Sequence, residues 1–301
     1  MSATTDYFLP ILEHFESTYT DHNQIAAGIS TVFLQIALGK SWISANICAN
    51  NHPNEWISNG DKDWFLTHPV PSPDLRQIYY LNRVVRLADA LFTCMRNKVG
   101  NIDVIRESLL HRPDTRAVFR ELEIASFLSM HGCTVKFVKE SNVRGEDFDL
   151  QVEVNGQRIS VEVTEILDRT LSFRAAFNKF QKKRNQVPSH SPAVLYIYVP
   201  YEWMKNRGVM FLHVEAAIRQ FFRRSRRYNI VIFICEDFNS TGDGFKFGLR
   251  VQPIYSHVGR HRISDVSAFL AQRDRWNDSS MSKSFFYWLR TQRAKQERSK
   301  A

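Results

Sequence analysis

The sequence predicts an α/β fold in which a mixed sheet is flanked by helices, preceded by an all-α N-terminal region. Three observations predict it. Apolar residues recur at spacings of three and four over the first 110 residues; short strand-like runs alternate with helical ones after that; and Asn155-Gly156 separates two alternating runs. At 301 residues, 44% apolar and 24% charged, the chain has the composition of a folded protein with room for two units. Twelve Gly and ten Pro exclude collagen-like and low-complexity classes. No stretch approaches about 18 uninterrupted apolar residues, and Met1 to Pro10 lacks a basic region and an apolar run. The expectation is a soluble, cytoplasmic protein with no membrane partner.

Taken in order, 24–38 and 75–98 read as helices, the second on the spacing of Ile78, Leu81, Val84, Val85, Leu87 and Leu91. The connection 50–73 is rich in Pro, Asn and Trp, and its His52 and His68 read as loop residues. His111 to Asp114 punctuates the chain and Asp114 or Thr115 is placed to cap a new helix, which sets a boundary near residue 110. The expected organisation is a helical accessory domain over 1–110 and an α/β domain over 111–301. The second region opens with a helix at 115–131 stopped by Gly132. Strands follow at 134–138, 148–154, 158–166, 194–199 and 230–235, with 247–255 as an edge strand. Helices at 170–185 and 211–226 lie between them, and a basic helix ends the region.

Cys48, Cys94, Cys133 and Cys235 are dispersed through apolar segments with no Cys-x-x-Cys pair, the pattern of reduced core thiols rather than a disulfide framework or structural zinc. His257 and His261 have helical spacing, but Val258-Gly259-Arg260 between them is turn-like, so no metal is assigned to them.

Charge divides the chain. Forty Lys and Arg against 31 Asp and Glu give a net +9, yet residues 1–110 hold 8 basic and 11 acidic side chains and the remainder 32 and 20. A basic second region points to a polyanion, because phosphate neutralisation with counterion release supplies most non-specific nucleic-acid affinity. Two arginine clusters are the candidates: Arg219, Arg223, Arg224, Arg226 and Arg227 on one helix, and Arg290, Arg293, Lys295, Arg298 and Lys300 on the C-terminal one. Phe285, Phe286, Tyr287 and Trp288 precede the latter and serve either base stacking or the docking of a terminal helix. Backbone contacts do not distinguish DNA from RNA. The acidic first region is left for a protein partner or a homo-oligomer surface.

Asn155-Gly156 is a strong hairpin signal, since a type I′ turn needs positive φ at both central residues. With those two as the loop, Val154 pairs with Gln157, Val152 with Ile159, Leu150 with Val161 and Phe148 with Val163, an apolar face. The other face then pairs Glu153 with Arg158, Gln151 with Ser160, Asp149 with Glu162 and Asp147 with Thr164. Opposed carboxylates repel, so a cation is expected between Asp149 and Glu162, and a divalent ion such as Mg²⁺ or Mn²⁺ satisfies two carboxylates plus phosphate. On the preceding helix Val118, Leu122, Ile124, Ala125 and Leu128 form one apolar face with Glu121 near its middle, while Glu123 joins Arg116 and Arg120 on the polar side. A carboxylate inside an apolar stripe needs a cationic or metal-linked partner, unless it reaches water at the helix edge.

A helix with an inward Glu, a Gly stop, a strand, Asp147-Phe-Asp-Leu150, a hairpin and Val161-Glu-Val163 resembles the core of the restriction-endonuclease-like, or PD-(D/E)XK, nuclease superfamily over roughly residues 112 to 200. The resemblance implies a metal-dependent endonuclease or exonuclease that hydrolyses phosphodiesters of DNA or RNA with Mg²⁺ or Mn²⁺. It implies Asp149 and Glu162 as metal ligands, Glu121 as the supporting acid, and Thr164 at the position normally held by Lys. A hydroxyl cannot supply that positive charge. Lys179 and Lys182, with Lys183 beside them, offer a relocated base on the next helix. The alternative is a catalytically inactive relative that acts as a nucleic-acid-binding or protein-interaction module.

Overall fold

The computed structural model describes residues 2–46, 76–112, 115–141, 143, 146–167, 173–200, 203, 207–241, 244–270 and 285–300. The connection 50–73 with His52 and His68, together with Cys48 and Asp114, lies outside the described residues. The chain divides into two compact units. A helical unit takes 1–96, 105–123 and 279–301, and a sheet unit takes 97–104 and 124–278. This differs from a single boundary near 110: the basic C-terminal helix and the first half of the helix at 115 belong with the N-terminal helices.

In the helical unit the described helices are α1 (Ser2–Thr18), α2 (His22–Leu38), α3 (Lys40–Asn46), α4 (Arg76–Arg96), α5 (Ile102–His111), the start of α6 (Thr115–Met130) and α9 (Phe285–Lys300). The predicted 24–38 and 75–98 correspond to α2 and α4; α1, with Pro10 inside it, is additional. Asp21 caps α2 by accepting the Asn23 N–H at 2.8 Å. A Cβ at Gly28 would come within 2.2 Å of the Phe15 ring, so the contact of α1 with α2 requires glycine there. The core is aromatic: the Phe285 ring lies 4.9 Å from Phe8, 4.8 Å from Phe33 and 4.7 Å from Phe92, centroid to centroid. Phe285 is the first residue of α9, and its N–H donates to Asp89 Oδ1 at 2.6 Å, a cap supplied from α4. Phe285, with Phe286 against His22 and Trp288 against Phe92, thus docks a terminal helix.

In the sheet unit six strands lie in sequence order: β1 (Thr134–Phe137), β2 (Leu150–Val154), β3 (Gln157–Glu165), β4 (Ala193–Tyr198), β5 (Tyr228–Thr241) and β6 (Gly244–Tyr255). β1, β2 and β3 form an antiparallel meander, β4 runs parallel to β3 and β5 parallel to β4, and β6 returns antiparallel. The two parallel connections carry α7 (Phe173–Lys183) and α8 (Arg207–Arg224), as parallel pairing requires a crossover. The mixed sheet flanked by helices is the predicted class. Asn155 and Gly156 have φ of 51° and 76°, and the register runs from Val154↔Gln157 to Leu150↔Val161 as expected. Gly132, at φ 83°, ends α6. β5 and β6 extend beyond 230–235 and 247–255 because the polar run between them has no alternation to read.

The face of β3 that carries Ser160, Glu162 and Thr164 is not a solvent face. Glu162 pairs with Leu195 and Thr164 with Ile197, and directly paired residues share a face. Leu195 and Ile197 pack with Phe180 of α7 and with Ala217 and Phe221 of α8 in one core cluster. Helices therefore cover the neighbours of Glu162 and Thr164, and alternation in β3 gives way to burial on both faces.

Cys94, Cys133 and Cys235 are buried free thiols. No described helix is long and apolar enough to cross a membrane.

Two stability outcomes follow from the helical unit. Gly28→Ala should lower stability by about 1–3 kcal/mol in denaturant unfolding, through overpacking against Phe15. Burial pushes the Asp89 carboxyl up to about 7, against the opposing hydrogen bond from Phe285. An acid whose folded pKa is raised gives its full stability below its unfolded value and loses it as pH rises towards the folded one. Asp89→Asn should therefore match wild type near pH 4 and exceed it by up to about 4 kcal/mol at pH 8, read from paired unfolding curves across that range.

Candidate active site

β2 and β3 separate at Asp149. The expected ladder pairs Asp149↔Glu162, Phe148↔Val163 and Asp147↔Thr164 fall beyond the observed register, which stops at Leu150↔Val161. The Asp149 carboxylate takes over the ladder's next bond, accepting the Val163 N–H on Oδ2 at 2.6 Å. Asp149 C=O accepts from Val138 N–H at 3.0 Å, and Asp147 Oδ1 accepts from Ser141 N–H at 2.8 Å. At Asp149 a side-chain oxygen thus takes the β3 N–H of Val163.

Glu162 is fully buried, with 0% of its side chain exposed, and Lys183 at the end of α7 donates to its Oε1 in an ion pair. A buried carboxylate demands such a partner. Tyr228, the first residue of β5, donates its O–H to the Lys183 carbonyl at 2.8 Å and fixes the backbone from which that ammonium extends. Burial first, then the charges of Glu162 and Asp149, push the Tyr228 phenol well above its ordinary value, while Arg227 works the other way. Asp149, Glu162, Lys183 and Tyr228 are thus gathered where β2, β3, α7 and β5 converge. Asp149 and Lys183 reach solvent; Glu162 and Tyr228 do not.

Of the three lysines that the sequence offered on this helix as a relocated base, Lys183 is the one that pairs with Glu162. Lys182 projects into solvent, and Lys179 is half-buried one turn before Lys183 on the same side of α7. Thr164 is buried beneath the core cluster and brings no charge. Tyr228 was not anticipated, since nothing distinguishes it from other aromatic strand residues.

Glu121 does have a cationic neighbour: Arg112 Nη1 lies 3.7 Å from Oε1. Glu121 belongs to the helical unit, and among the described residues no group of three or more His, Cys, Asp or Glu is placed to hold a metal ion. Its apolar surroundings are answered by a guanidinium instead. Glu123 is half-buried, bonded by Arg86 Nε and Arg120 Nη1 at 2.9 Å each, so its side of α6 carries an ion network rather than a fully wet face.

Of the expected nucleic-acid contacts, Arg290 and Arg293 are committed elsewhere. Arg290 Nε donates to Glu16 Oε1 at 2.7 Å and Arg293 Nη1 to Glu16 Oε2 at 2.5 Å, within the helical unit. Burial would raise the Glu16 carboxyl, but the two guanidinium bonds hold it below its ordinary value. Arg227 Nη1 donates to the Val187 carbonyl at 2.6 Å, a structural bond. Arg223, Arg224 and Arg226 are exposed, and the Arg224 guanidinium lies 5.3 Å from the centroid of Phe177.

Asp149 and Glu162 fit a hard divalent cation in donor type, two carboxylates of which one faces solvent. The Lys183 pair marks the position as one that takes positive charge. No family model, curated protein or solved structure matches the chain.

Because Lys183 neutralises a buried acid, Lys183→Met should cost about 3–5 kcal/mol in chemical denaturation, whereas Lys182→Met should stay within about 0.5 kcal/mol.

Proposed function

We propose that the protein is a metal-dependent nuclease of the restriction-endonuclease-like type, hydrolysing phosphodiester bonds of DNA or RNA. One observation carries this reading: a buried acid, Glu162, a solvent-reaching acid, Asp149, and a lysine, Lys183, lie at the same place on the sheet. The order of elements supports it, since helix, three-stranded meander, helix and parallel strand follow one another in α6, β1–β3, α7 and β4. Lys183 answers the absence of Lys at Thr164 by bringing the ammonium from the following helix.

Asp149 and Glu162 would hold Mg²⁺ or Mn²⁺, which when bound lowers the pKa of a coordinated water and polarises the phosphate. Asp149 is oriented by the Val163 N–H, so its carboxylate does not rotate freely. Lys183 brings a positive charge against the charge that develops on the phosphate, from a backbone fixed by Tyr228. The exposed Arg223, Arg224 and Arg226 supply backbone contacts in the same unit.

An inactive nucleic-acid-binding relative is the second reading, favoured by Lys183 already satisfying Glu162 and by the uncharged Thr164. Cleavage of mixed DNA and RNA substrates with Mg²⁺, Mn²⁺ or EDTA decides between them. The expected result is metal-dependent cutting that falls by at least about 100-fold in Asp149→Asn while binding changes less than about threefold. Cutting that persists in Asp149→Asn removes the metal-site reading, and binding without cutting under every condition establishes the second one.

A further inference from the structure

Glu162 is the most enclosed acid of the site, and its Oε1 already holds the Lys183 ammonium. The Lys183 side chain is 19% exposed and reaches inward from the end of α7. Two constraints limit how it can move. Its carbonyl is fixed by Tyr228 O–H at 2.8 Å and also accepts the Gln186 N–H at 3.3 Å, so the backbone stays in place. Its four-carbon stem is flexible and already touches solvent, so the ammonium can swing outward without unwinding the helix. The geometry also forbids passive coexistence: a divalent ion on Glu162 would sit within a few ångströms of a like charge in an enclosed site.

We infer that Lys183 is a built-in competitor for the divalent cation at Asp149 and Glu162, and that metal entry exchanges the Lys183–Glu162 ion pair for metal–carboxylate bonds. This rests on the nuclease reading and adds to it a regulatory property, a metal affinity set by an internal cation. In the metal-free protein Glu162 is neutralised and the fold is stable without ion. On exchange the displaced ammonium is delivered to the surface side of the site, where a phosphate anion would meet it. One side chain thereby protects the empty site and serves the loaded one.

The test is direct Mn²⁺ binding to the full chain, by calorimetry and by electron paramagnetic resonance of free Mn²⁺, with the Mn²⁺-induced shift in Tm as a second readout. Lys183→Gln removes the competing charge but keeps a hydrogen-bond donor, and should bind Mn²⁺ at least about tenfold more tightly with a larger Tm increase. Lys183→Arg keeps the charge and should bind within about threefold of wild type, while Asp149→Asn should lose binding in either background. If Lys183→Gln fails to fold without metal, recovery of its folded signal on titrating Mn²⁺, absent with Lys183→Gln/Glu162→Gln, supports the same exchange. Equal affinity in wild type and Lys183→Gln overturns the inference but leaves the metal site standing. No Mn²⁺ binding by any variant at millimolar concentration overturns both.

Discussion

A carboxylate with none of its surface in water is the constraint on which the sheet unit turns. Glu162 lies in the middle of β3, paired with Leu195 and roofed by the apolar packing of α7 and α8. Charge in such a place must be answered from within, and the answer comes from Lys183 at the far end of α7. That pair and the packing of Ala176 and Phe180 agree on one rotation of α7 about its axis. Phe180 and Ala176 then face the sheet, and Tyr228 of β5 closes the arrangement by holding the Lys183 carbonyl. Meander, crossover helix and central parallel strand are registered through one ionic contact.

The helical unit repeats the principle with different chemistry. Glu16 gathers Arg290 and Arg293, Glu123 gathers Arg86 and Arg120, and Asp89 receives the N–H of Phe285. Each acid joins helices distant in sequence around an aromatic centre of Phe8, Phe33, Phe92 and Phe285. Many of the unit's basic side chains act as internal fasteners. The positive charge left for a polyanion lies more in Arg223, Arg224 and Arg226 than composition implied.

What was legible in the sequence was what is local. Asn155-Gly156 dictates a turn conformation, and the turn dictates the register from Val154↔Gln157 to Leu150↔Val161 without knowledge of anything else in the chain. The choice among Lys179, Lys182 and Lys183 was not local. It depends on how α7 is rotated over the sheet, set by Ala176, Phe180 and their partners across β4, β5 and α8. The ion pairs of Arg290 and Arg293 were hidden for a similar reason, since their partner Glu16 is more than 270 residues away. The early end of the β2–β3 ladder was hidden because a side chain, Asp149 Oδ2, replaces a backbone acceptor. Pairing rules describe backbones and do not foresee that substitution.

The placement of α9 within the helical unit bears on how the chain is made. During synthesis, α1, α2 and α4 emerge long before residues 285–293, so Phe33 and Phe92 lack the ring that packs between them and Glu16 lacks both guanidiniums until the whole sheet unit has been translated. The sheet unit, whose strands pair in sequence order, has its partners as soon as they leave the ribosome. Completion of the helical unit thus depends on residues that follow the sheet unit in the sequence. The aromatic surface of the first helices stays open until Phe285, made after the sheet unit, closes it.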